Sequence, residues 1–148
     1  MPAQDKLVVR KIIPARREEV FAAWTDPESI RQWMCPGDVE SAEATLDVRV
    51  GGSYQIRMKR KGMDDHLIDG VYQVVEPPSR LVFTFIGKGH DSQPTLVTVE
   101  LFERGEQCEL VLTHERITGA ENLSGKTRGW TGIADKLAQY FAARKGRA

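Results

Sequence analysis

Between Pro14 and Trp33 the chain reads PARREEVFAAWTDPESIRQW, two short helices set back to back almost at the start of the sequence. A strand-like segment precedes them, a long run of strand-like sequence follows, and one long amphipathic helix closes the chain. That order leaves few packing solutions. A sheet must bury one face and a helix one stripe. The arrangement that satisfies both is a curved antiparallel sheet gripping the terminal helix, with room between them for a ligand.

The local signals are specific. Leu7 to Ile13 is short and β-branched and ends at Pro14, as a first strand does. Pro14 is placed to open the first helix, with Glu18 and Glu19 in its first turn and Val20, Phe21 and Trp24 on its apolar face. Asp26-Pro27 is an N-cap followed by a first helical proline, and Ile30 and Trp33 carry the second helix to Pro36-Gly37. Strands are then predicted over Ser41–Val50, Ser53–Lys61, His66–Glu76, Arg80–Ile86, Thr95–Arg104 and Gln107–Arg116. Ile117 to Gly125 reads as a loop, and the last helix is predicted to begin near Thr127. Its apolar stripe runs Trp130, Ile133, Ala134, Leu137, Ala138, Phe141.

Composition narrows the function. Lys plus Arg and Asp plus Glu are 21 each, so the formal net charge is zero, which argues against a nucleic-acid binder. The basic runs Arg57–Lys61 and Arg144–Arg147 read as a solvated hairpin tip and a frayed tail. No apolar stretch is long enough for a signal peptide or a membrane span, so a cytoplasmic protein without membrane insertion is expected. Cys35 and Cys108 are far apart and read as free thiols.

The stretches EEVFAAWTDPESIRQW, DVRVGGSY, DGVYQVVEPPSRLVFTF, TVELFERGEQCELVLTHE and GWTGIADKLAQYF resemble the domain of Hsp90 ATPase activator homologues (AHSA1-like), a branch of the START/Bet v 1-like (SRPBCC) superfamily. The resemblance covers roughly Leu7 to Phe141. It implies an α+β helix-grip fold in one domain: a bent antiparallel sheet of about seven strands around the long C-terminal helix, two short helices after the first strand, and an apolar cavity. The eukaryotic co-chaperones that name the family carry an additional N-terminal domain not present in these residues, so Hsp90 activation is not expected to carry over. Relatives often show a second aromatic and a glycine where this chain has Met34-Cys35-Pro36.

Candidate ligand contacts follow from the inward faces. On the strands they are Tyr54, Ile56, Met58 and Tyr72, then Phe83, Phe85, Val99, Leu112 and His114. The helices add Trp33, Trp130, Ile133 and Leu137. Tyr54, Tyr72 and His114 are expected to orient polar atoms, and the rest to supply apolar contact. Three methionines and several aromatics are expected around the interior, while Gly129, Gly132 and Gly70 lack side chains to fill it. His66 and His90, in or near turns, read as solvent-facing.

No catalytic signature, cofactor motif or metal-ligand spacing is present in the sequence. The expected function is binding of a hydrophobic or aromatic small molecule, with a homodimer as an option. The alternatives are an enzyme acting on an enclosed apolar substrate, cyclase- or hydrolase-like with His114 as acid or base, and a protein-interaction or stress-response module related to the co-chaperones.

Overall fold

The computed structural model describes residues 5–35, 37, 39–88 and 93–145, the last of these by its backbone. Ten elements follow one another: β1 (Asp5–Ile13), α1 (Arg17–Trp24), α2 (Pro27–Trp33), β2 (Val39–Leu46), β3 (Ser53–Arg60), β4 (His66–Glu76), β5 (Arg80–Gly87), β6 (Thr95–Arg104), β7 (Gln107–Ile117) and α3 (Ala120–Lys145). The seven strands form a single antiparallel sheet in the order β1-β7-β6-β5-β4-β3-β2. Strands β2 to β7 are joined in sequence, as short connections favour. The helix pair carries the chain from β1 at one edge to β2 at the other. This is the helix-grip architecture the sequence predicts.

The period-two strands behave as the alternation demands. In β3, Tyr54, Ile56 and Met58 are buried while Gln55, Arg57 and Lys59 are exposed. On the solvent face, Lys59 meets Glu43 of β2 at 3.1 Å and Arg57 meets Asp65 at 3.6 Å. The β6–β7 turn places Gly105 at φ +64°, a left-handed position suited to glycine. Asp26 caps α2 by accepting from the Glu28 N–H, with Pro27 at the first helical position.

Three boundaries differ from the sequence reading by three residues or more. Helix α1 begins at Arg17, because the first carbonyl to accept a helical bond is that of Arg16; Pro14 belongs to the turn after β1. Strand β2 ends at Leu46. Beyond it the chain folds back, the Asp47 N–H donating to the Ser53 carbonyl and Arg49 pairing with Asp47. The largest difference is α3, which begins at Ala120. Gly119, at φ +91°, makes the break, and Gly125 lies inside the helix. An interior glycine costs about 1 kcal/mol relative to alanine, and tertiary packing overrides a preference of that size.

Candidate functional site

The close backbone approaches of α3 are to β1 and α2, not to β2–β5. Lys11 of β1 reinforces this seat, its ammonium donating to the Asp135 carboxylate at 2.8 Å. The helix therefore lies over one side of the sheet and stands away from the other. A cavity of about 980 Å³ occupies the gap.

Its floor is the inward face of β3, β4 and β5, where alternation places Tyr54, Ile56 and Met58 beside Tyr72, Phe83 and Phe85. Trp130, Ile133 and the bare backbone of Gly129 form the helix wall, and a Cβ added at Gly129 would meet nothing within 4 Å. Trp24, Ile30 and Met34 close the side beneath α1 and α2. From His66 to Tyr72 the cavity follows β4 for about 20 Å, at the usual rise of a strand.

Aromatic rings dominate the far end. Tyr54, Tyr72 and Phe83 lie with ring centroids 5.3–6.2 Å apart in tilted and edge-on contacts. The Tyr54 hydroxyl donates to the Thr84 carbonyl at 2.6 Å. Burial lifts its pKa far above the ordinary tyrosine value, with the Tyr72 and Asp69 charges acting the same way. The Tyr72 phenol is pushed up to about 12, by burial first and by the Asp47 charge second, so it is a neutral donor at physiological pH. No hydrogen-bond partner for that hydroxyl is found among the described residues.

Against the sequence expectation, His114 does not line the cavity. It is fully buried behind the Trp130 wall, with both ring nitrogens engaged. The Trp130 indole N–H donates to Nδ1 at 2.9 Å, which requires a lone pair there. In the neutral ring Nε2 then carries the proton and donates to Thr95 Oγ1 at 2.7 Å, and the Thr95 hydroxyl donates to the Phe85 carbonyl at 2.7 Å. This directed chain fixes the plane of Trp130 and ties α3 to β5 and β7.

Trp33, Val99, Leu112 and Leu137 also lie off the cavity, each at most 2% exposed and packed in the solid core. The reason is positional: β6 and β7 run beside β1, on the side of the sheet over which α3 is seated. The other eight candidate contacts do line it. Of the methionines, Met34 and Met58 are on the wall, but Met63 is 55% exposed. His66 is half-buried at the mouth rather than in solvent; His90 and Pro36 lie outside the described residues.

Sequence reasoning missed Trp24 as a wall residue and missed the cations at the mouth. Trp24 is buried, and its indole N–H has no hydrogen-bond partner among the described residues. Around the mouth stand Arg60, Lys126 and Arg128. In the sequence Arg60 lies within the basic run Arg57–Lys61, and Lys126 directly follows a segment that reads as loop. No group of His, Cys, Asp or Glu arranged to hold a metal occurs among the described residues. Nor is any described helix long and apolar enough to cross a membrane.

Comparison with known proteins agrees with this geometry. The family model for Activator of Hsp90 ATPase homolog 1-like protein (AHSA1) matches residues 14–142. The chain belongs to the AHSA1 family. That places it in the SRPBCC superfamily, whose fold commonly binds hydrophobic ligands or serves a co-chaperone. Among solved structures, protein CV1439 from Chromobacterium violaceum superposes with a TM-score of 0.81 at 21% identity, over 92% of this chain and 96% of that one. An uncharacterized protein from Rhizobium leguminosarum gives 0.79 at 22% identity, over 97% of each chain. Mll3558 from Rhizobium loti gives 0.74 at 27%, over 94% and 98%. No curated protein matches the sequence.

In this AHSA1-family chain neither cysteine is an activated nucleophile. Burial raises the Cys35 thiol despite the nearby Lys136 charge, and pushes Cys108 up to about 11. Both are free. A thiol titration of the denatured, unreduced protein is expected to find two reactive groups. In the native protein the half-buried Cys35 should react well before the fully buried Cys108. Equal native rates would show that Cys108 is not enclosed between the sheet and α1.

Proposed function

We propose that this chain is a small-molecule binding protein that encloses a hydrophobic or aromatic ligand between β3–β5 and α3. The observation that carries the reading is the cavity itself: about 980 Å³, walled by flat rings and by Met58 and Met34, with Gly129 in the helix wall. Ligand pockets of a few hundred to about a thousand Å³ with such walls are the usual form of small-molecule sites. A packed core this size has few voids larger than a water molecule. Binding is favoured over turnover because His114, the acid or base an enclosed reaction would use, has both ring nitrogens committed inside the protein.

Tryptophan emission tests this. Trp24 and Trp130 both face the cavity, their rings 6.2 Å apart. Naphthalene and dodecanol are expected to give saturable quenching or a spectral shift, reduced in both Trp24→Phe and Trp130→Phe. No saturable change with any apolar probe would overturn the reading and move the function to the surface.

A further inference from the structure

The polar groups around the cavity are unequally divided between donors and acceptors. Arg60 reaches the mouth from the end of β3, and Lys126 and Arg128 reach it from the first turns of α3. Among the described residues Glu121 is the one carboxylate on the lining. A chain with zero formal net charge thus places three cations and one anion around this opening among the described residues. Nearby carboxylates are engaged on the outer face, Asp65 by Arg57 and Glu43 by Lys59. Arg60 donates from Nε to the Asp64 carbonyl, and neither Arg60 nor Arg128 meets a carboxylate among the described residues. The Lys126 ammonium sits 5.7 Å from the centre of the Phe85 ring, over the cavity wall.

We propose that the ligand is an anionic amphiphile, its apolar body on the aromatic floor and its anionic head held at the mouth by Arg60, Lys126 and Arg128. This rests on the container reading and adds the ligand's charge and orientation. Cationic donors at the rim of an apolar cavity recognise a carboxylate or phosphate through charge-assisted hydrogen bonds. The guanidinium of Arg60 offers a planar fork to two oxygens of such a head.

Four probes sharing one chain separate the possibilities: dodecanoate, dodecyl phosphate, dodecanol and dodecylammonium, followed by tryptophan emission. One or both anions are expected to bind about tenfold or more tighter than dodecanol, since a hydrogen bond to a charged group contributes at least that much. Which anion binds tighter identifies the head. The preference should shrink as salt is raised, because the mouth is open to solvent. In R60Q/K126Q/R128Q it should vanish, the anion affinity falling to that of dodecanol, while a circular dichroism spectrum and urea midpoint close to those of the unaltered protein show that the variant is folded. Lys59→Gln, which removes a cation from the outer face, should leave the preference intact. Equal affinity for anion and alcohol, tighter binding of dodecylammonium, or a preference that survives the triple substitution would overturn the anionic assignment while the container stands. Failure of all four probes would remove both.

Discussion

Replacing Leu137 with alanine should lower the stability of the protein by about 2–5 kcal/mol, the range for buried leucines whose surroundings collapse only in part. Leu137 is fully buried and central in the Trp130–Phe141 stripe. It sits where the helix is packed, not over the cavity. Its removal therefore opens a new void in solid core, whose close packing leaves the surrounding side chains little freedom to fill it. Urea unfolding followed by circular dichroism measures this as a lowered midpoint with little change in slope. A midpoint equal to that of the unaltered protein would mean that the stripe does not pack as described.

Gly70→Ala should destabilise by about 3 kcal/mol, at the upper end of overpacking effects. An added Cβ would stand only 1.9 Å from the Thr84 carbonyl oxygen and 2.8 Å from a ring carbon of Tyr54. The first of these atoms is backbone and has no rotamer to escape into. The β4–β5 pairing would have to open just where the Tyr54 hydroxyl bonds that same carbonyl. Position 129 provides the contrast. There an added Cβ meets nothing, and Gly129→Ala in the unliganded protein should raise stability by up to about 1 kcal/mol through helix propensity alone. The two substitutions are chemically identical, so opposite signs in the same urea assay would test the close approach and the open space together. Equal effects would contradict both.

The outcome at these glycines illustrates how far the sequence could be read. A strand interior with Gly70 signals either a close approach or an unfilled space, and nothing local chooses between them. Gly70 is the first case and Gly129 the second. The helix start shows the same limit. Ser124-Gly125 and Thr118-Gly119 are equal as turn signals in the sequence, yet only Gly119 takes a left-handed conformation. The remainder of the segment is drawn into α3, where Leu123 packs against the core.

What the sequence by itself determined is which side of each element is apolar. Alternation in β3 set Tyr54, Ile56 and Met58 inward, and the 3.6-residue stripe did the same for Trp130, Ile133 and Leu137. Element order and the capped helix pair determined the fold class, because few arrangements bury those faces together. Only the tertiary structure decided what each inward face meets. The axis of α3 lies toward β1, so Leu112, Val99 and His114 are covered by protein while Tyr72, Phe83 and Phe85 face a void. The same placement brings Arg60 and Lys126, sixty-six positions apart in the chain, to one opening. Periodicity is a property of neighbours along the chain, whereas a cavity and its mouth depend on how distant elements are seated, and no local pattern carries that distance.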